Sequence, residues 1–246
     1  MAGLRIEHDG PILRVTLAKP ERRNAFDAEL IRELHEAFSD VGGARVVVLA
    51  GDGPSFCAGA DVEWQRAAID LSYEENVEDA LRLYRMLEAI DSCPAPVVGR
   101  IHGYALGGGS GVAACLDIGI ASEDAVFGFS EVKLGIIPAV ISPFVLPRIG
   151  EAARRYFLTG ERFDAETALR IGLVSEVTDD LDGAVERVVG ELLSSGPQAA
   201  REAKRLVRQH PGGEEAAQIA ARLRSGEEGQ EGLRAFLERR QAAWLD

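Results

Sequence analysis

GYALGGGSG, residues 103–111, carries five of the chain's 27 glycines in nine positions, and the apolar run Val112-Ala113-Ala114-Cys115-Leu116 follows at once. Backbone stripped of side chains ahead of a buried segment has two readings. One is a tight strand-to-helix turn, which glycine makes without steric cost. The other is a set of N–H groups at the positive end of a helix, turned toward negative charge.

Working outward, 97–101 (VVGRI) reads as a buried strand before the loop, with further strands at 116–121 and 125–129 after it. Upstream, 12–17 reads as a strand, and the β-branched run 45–50 as a strand covered on both faces. Asp27 caps a helix with Leu30, Leu34 and Phe38 on one face. Ser72-Tyr73-Glu74-Glu75 is a capping box opening a helix that carries Val77, Leu81, Tyr84 and Leu87 toward Ile90. From about Ser142 helical periods take over, at 151–158, 164–171, 182–194, 197–209, 214–224 and 229–244. An α/β core followed by an all-helical tail is expected, with no sequence repeat or long linker.

The chain of 246 residues has a net charge of −13, which argues against nucleic acid or an anionic membrane as partner. No run approaches the roughly 20 apolar residues of a membrane span, and the N-terminal residues lack a secretory layout. Cys57, Cys93 and Cys115 sit apart among apolar or small residues, as expected of buried thiols in the cytoplasm. The local basic cluster Lys19-Pro20-Glu21-Arg22-Arg23 suits either a solvated loop or an anionic small molecule.

Several chemistries fail at the glycine loop. A dinucleotide fingerprint fits only loosely, and a phosphate-binding P-loop lacks its lysine. Ser110 has Gly108 before it, but Val112 stands where a nucleophile elbow needs glycine; the nearby His102 keeps serine chemistry open. The histidines at 8, 35, 102 and 210 have no zinc spacing. What remains is backbone N–H chemistry on a developing oxyanion, or a plain turn. Two segments bear on that choice. SFCAGADV (55–62) offers small-residue backbone after a buried strand, and SEVKLGIIP (130–138) sets Glu131 in apolar company. Such a carboxyl has a raised pKa suited to acid–base work, unless it is simply solvated.

Taken together, RRNAFD (22–27), FCAGADV (56–62), HGYALGGGSG (102–111), SEVKLGIIPAV (130–140) and RRYFLTGERFDAETALRIGLVSEV (154–177) resemble the crotonase (enoyl-CoA hydratase/isomerase) superfamily across essentially the whole chain. The resemblance implies an α/β fold, a spiral of repeated ββα units over 1–190, then a C-terminal helical trimerisation region over 191–246. It implies a homotrimer or a dimer of trimers acting on acyl-CoA thioesters, with coenzyme A part of the substrate and no separate cofactor or metal. Carried over by position, Ala60 and Gly108 supply the oxyanion-hole N–H groups, and Glu131 is the catalytic glutamate. Gly107 and Gly109 let the backbone approach the ligand. Ala58, Gly59, Asp61, Val62 and Trp64 border the coenzyme, with Arg22 and Ala25 along its channel. Phe236 and Arg239 reach a neighbouring subunit's coenzyme.

One position departs from the pattern. The second glutamate of the family's hydratases falls at 111, where this chain has Gly111. GADVEWQRA (59–67), SYEEN (72–76), Gly111 and SEVKLGIIPAVISPFV (130–145) are similar to methylglutaconyl-CoA hydratases of bacterial leucine and isoprenoid catabolism. There a glycine at this position is compatible with hydration. That likeness implies a short, branched or carboxylated enoyl-CoA, and a basic residue near its acyl pocket, Arg66 or Lys133. The alternatives are a Δ3-Δ2 enoyl-CoA isomerase and a non-catalytic acyl-CoA binder.

Overall fold

The computed structural model describes residues 3–245; Met1, Ala2 and Asp246 lie outside the described residues. The first half holds β1 (Leu4–Asp9), β2 (Ile12–Leu17), α1 (Ala28–Ser39), β3 (Val46–Gly51), α2 (Val62–Ala67), α3 (Tyr73–Asp91), β4 (Val97–Ile101), β5 (Tyr104–Leu106), α4 (Gly108–Cys115), β6 (Ile118–Ser122) and β7 (Val126–Gly128). The second holds α5 (Ser142–Ile149), α6 (Ala153–Thr159), β8 (Arg162–Asp164), α7 (Ala165–Arg170), β9 (Glu176–Thr178), α8 (Leu181–Ser194), α9 (Pro197–Gln209), α10 (Gly213–Ser225) and α11 (Glu227–Glu238).

A six-stranded sheet runs β1-β2-β3-β4-β6-β9, and a three-stranded sheet runs β5-β7-β8. Only the hairpin pair β1–β2 is antiparallel in the large sheet; the other pairings are parallel. The chain passes from a large-sheet strand to a small-layer strand and then to a helix, as in β4, β5, α4. The segment after β3 does the same through a bridge between Cys57 and Ala105 before α2 and α3. Each circuit stacks on the last, giving the spiral of ββα turns. A strand buried on both faces needs a continuous apolar run, and β3 shows why. Val47 and Leu49 face the main core with α1 and α3, while Val46 and Val48 face a second layer with Val185, Val188 and Val189 of α8.

Local signals hold where they are strong. Asp27 accepts the Leu30 N–H at 2.8 Å, and the Ser72–Glu75 capping box is formed at both hydrogen bonds. The apolar stripe of α3 is only half used: Met86, Leu87 and Ile90 are buried, while Val77 and Leu81 are exposed. The tail is not all-helical. β8 and β9 interrupt it, because three-residue strands completing two separate sheets carry no period of their own to read. The last helices are tied down by cations: buried Lys204 reaches Asp117 at 2.6 Å and the Ala95 carbonyl at 3.1 Å, and Arg45 donates to the carbonyls of Leu193, Ser195 and Trp244. Among the described residues no helix is long and apolar enough to cross a membrane.

Candidate active site

Two backbone segments converge beside the small sheet. The first runs from β3 to α2. Buried Asn24 anchors it by donating to the carbonyls of Asp52 (2.9 Å) and Ser55 (2.8 Å). Cys57 then joins β5, its N–H donating to Tyr104 and its carbonyl accepting from Leu106. Next comes a parallel bridge between Phe26 and Ala60. Phe26 donates to Gly59 at 2.7 Å, and Asp61 donates back to Phe26 at 2.8 Å. In such a bridge the residue between the two bonded groups points its own N–H the other way. The Ala60 N–H therefore has no acceptor among the described residues. Gly59, at φ +94°, is obligatory: a Cβ there would lie 2.8 Å from the Leu106 carbonyl oxygen.

The second segment enters α4. Gly107 caps it at φ +50°, donating its N–H to the Gly128 carbonyl at 2.8 Å. Gly108 opens the helix, so its N–H is one of the orphan donors of the first turn, and it too lacks an acceptor among the described residues. Ser110 fixes this corner from beneath. Its buried hydroxyl donates to the Ala105 carbonyl at 2.6 Å and accepts the Gly128 N–H at 3.3 Å.

Glu131 follows β7 on a short 3-10 turn, Ser130–Leu134. Its carboxyl lies against the Gly107 backbone, where a Cβ would sit 3.2 Å from Oε1. Oε2 is buried with no hydrogen-bond partner among the described residues. Burial pushes its pKa above the ordinary carboxyl value. An unpartnered polar oxygen is costly inside a protein, and the residue that carries it lines a cavity of about 840 Å³ together with Ala60 and Gly108.

Ala58, Gly59, Val62, Trp64 and Gly107 also line that cavity. The other expected site residues do not. Ala25 is buried, and Asp61 is a helix cap, accepting the N–H groups of Glu63 (2.8 Å) and Trp64 (3.3 Å) and pairing with Arg22 at 3.0 Å. Burial pushes the Asp61 carboxyl up, yet the Glu63 N–H and Arg22 together hold it below the usual carboxylate value. Gly109 packs against the first segment: a Cβ there would lie 2.3 Å from the Cys57 carbonyl oxygen. Gly111 is likewise inside the fold, with a Cβ there 2.5 Å from Ile141 Cγ2. Where a second glutamate would stand, Ile141 fills the space. Phe236 is 80% exposed and Arg239 ends α11, neither lining this chain's cavity.

Ser110 and His102 do not meet, since the His102 ring contacts the Gly53 carbonyl and Arg100. Arg66 lines the cavity but is paired with Glu63 at 2.8 Å, and Lys133 does not line it. Lining residues that were not expected at the site include Asn76, Asp79 and Leu83 of α3. Their i, i+3, i+7 spacing from the capping box was the available signal. Asp79 is committed, accepting from Trp64 Nε1 at 3.3 Å and Arg82 at 2.9 Å. Arg162 and Ile141, also in the wall, carried no signal of their own. The three cysteines are free and buried, with burial pushing the Cys57 thiol up to about 12. Among the described residues no cluster of His, Cys, Asp and Glu is arranged to hold a metal ion.

The geometry can be set beside known proteins. A crystal structure of an enoyl-CoA hydratase from Shewanella pealeana superposes with a TM-score of 0.94 at 39% identity, over 98% of this chain and 96% of that one. Pseudomonas aeruginosa AtuE gives 0.93 at 35% identity, over 99% and 100%. A Rhodobacter capsulatus protein named "Probable enoyl-CoA hydratase" is 35% identical over 248 residues, covering 96% of this chain and 95% of its own length. The family model described as enoyl-CoA hydratase/isomerase matches residues 7–246, and the chain belongs to that family.

Proposed function

We propose that the protein hydrates the 2,3 double bond of a short enoyl-CoA, with Glu131 as its one acid–base group. The observation that carries this reading is the pairing of two acceptor-free N–H groups, Ala60 and Gly108, with the unpartnered Glu131 carboxyl on one cavity. The thioester oxygen sits between the two N–H groups, which stabilise it most when it bears enolate charge. The Glu131 carboxylate takes a proton from water as the water oxygen bonds Cβ. The π electron pair moves onto the thioester oxygen. The Glu131 carboxyl then returns a proton to Cα, the carbonyl re-forms, and the glutamate is regenerated.

Gly111 packed on Ile141 favours a second reading, Δ3-Δ2 isomerisation, because one carboxylate suffices to take a proton from Cα and return it to Cγ. Crotonyl-CoA separates the two. Loss of its conjugated absorbance is the expected result; no loss, with conjugation growing from a 3-enoyl-CoA, overturns hydration in favour of isomerisation. A wild type that turns over neither ester yet binds both is a binder only.

The acyl group is assigned as branched or carboxylated, methylglutaconyl-like, on the sequence likeness at 59–67, 72–76 and 130–145. On the superfamily resemblance across the chain, residues 1–190 form the binding core and 191–246 the region of trimer or hexamer assembly. There Phe236 and Arg239 face a neighbour's coenzyme, and Arg22 and Ala25 follow the coenzyme channel. The substrate brings its own coenzyme A and no other cofactor is invoked. The buried free thiols support a cytoplasmic setting.

A further inference from the structure

Two arginines line the cavity, Arg66 and Arg162. Arg66 is neutralised by Glu63. Arg162 has no carboxylate partner among the described residues, although carboxylates flank it in sequence. Glu161 is paired with Arg155, and Asp164 caps α7 by accepting the Thr167 N–H at 2.8 Å. Arg162 stands instead over the Tyr104 ring, its guanidinium carbon 5.5 Å from the centroid. A second guanidinium without a carboxylate partner, that of Arg23, lies 5.7 Å from the same centroid. Stacking on an aromatic face holds the planar guanidinium in place and leaves its edge N–H groups unspent.

Register puts this cation close to the chemistry. Leu106, Gly128 and Arg162 share one rung of the small sheet. Gly128 accepts the Gly107 N–H, and Gly107 carries the Glu131 carboxyl against its backbone. With no side chain at Gly128, the stems of Arg162 and Leu106 both lie within ordinary contact of that position. Two cations without a carboxylate partner gather on one aromatic ring, in a chain of net charge −13. One of them, Arg162, stands at the wall of an otherwise largely apolar cavity with Arg23 and Tyr104 behind it, which makes that point of the wall attractive to an anion.

We propose that Arg162, held on Tyr104 beside Arg23, recognises an anionic oxygen of the bound ester, either a coenzyme phosphate or a carboxylate at the end of the acyl chain. This rests on the acyl-CoA reading of the cavity but not on turnover. Arg162→Met keeps the apolar stem and removes the charge. Titration calorimetry then compares butyryl-CoA, butyryl-pantetheine, which has no phosphate, and glutaryl-CoA, which has a carboxylated tail; none of the three has a double bond to react. The expected result is a loss of about tenfold or more for at least one charged ester, with butyryl-pantetheine within about twofold of wild type. Loss on both coenzyme esters assigns the phosphate, and loss on glutaryl-CoA alone assigns the tail carboxylate. Unchanged affinity for all three, or equal loss on all three, overturns the proposal. A wild type that binds butyryl-CoA but converts no enoyl-CoA sinks the catalytic reading and leaves this one standing.

Discussion

Along the Ala60 and Gly107–Gly108 side of the cavity the protein presents backbone locked by the core, whereas α2 and the 134–140 segment present apolar side chains open to solvent. On the first side each position is over-determined. Gly59, Gly107 and Gly109 are forced by positive φ or by backbone approaching within van der Waals distance, and Ser110 is fully buried beneath them. On the second side Val62 is 69% exposed and Ile137 is 70% exposed. Groups that must meet a developing charge gain from being fixed beforehand, and a wall that meets an alkyl chain needs only surface and shape. In the proposed function chemistry belongs to the rigid side and chain selection to the open one.

The strongest way to break that division is Glu131→Gln. If the carboxyl is the sole proton carrier, turnover of the best enoyl-CoA falls by about 10²–10⁴-fold, with ester binding retained. Unchanged turnover would remove Glu131 from the mechanism and relocate the chemistry. Gly109→Ala is next. Its Cβ meets a backbone oxygen that no rotamer can move, so a stability loss of about 2–3 kcal/mol is expected in denaturant unfolding. An unchanged midpoint would mean the Cys57 segment is looser than the rigid side requires.

Ser110→Ala tests the same side more gently. It strips the Ala105 carbonyl and the Gly128 N–H of a buried partner, a cost of about 1–2 kcal/mol. Because Gly128 also holds Gly107, kcat should fall while KM moves little. A stability loss with kcat intact would make the serine purely structural.

The two sides also differ in how far sequence reveals them. The rigid side was legible because steric necessity leaves marks in composition: glycines crowd where backbones meet, and one glutamate stands among apolar residues. The capping residues Asp27 and Ser72 and the doubly buried run of β3 were legible for similar local reasons. The open side was not. Asn76, Asp79 and Leu83 reach the cavity only because α3 is laid beside α2, and Arg162 only because β8 pairs with β7. That Gly111 is filled by Ile141 depends on a contact across 30 residues of chain, which periodicity cannot carry.

Glu131 gives a subtler contrast, in stability rather than rate. Its folded pKa is raised by burial above the ordinary 4.5. Below that ordinary value the carboxyl is protonated in folded and unfolded chains alike, with no penalty. As pH rises into the raised range, the unfolded chain ionises freely and the folded one resists, so stability is lost and stays lost above it. Glu131→Gln escapes this loss. The variant's gain in Tm over wild type should be near zero in acid and positive at neutral pH. A gain independent of pH would show that packing, not ionisation, separates them.

The smallest expected effect probes the open side. Ile137 is largely solvent-exposed, so Ile137→Ala should change folding stability by no more than about 0.5 kcal/mol. Its side chain lines the cavity, and a bound acyl chain long enough to reach it covers on the order of 30 Å² of apolar surface, about 0.75 kcal/mol or roughly threefold in affinity. KM for a hexenoyl ester should therefore rise about threefold while that for the crotonyl ester and both kcat values stay put. The split is what matters. If crotonyl and hexenoyl esters respond alike, the alkyl chain does not run along this wall. If kcat falls with either, Ile137 is coupled to the Glu131 corner, and the two sides of the cavity are one unit.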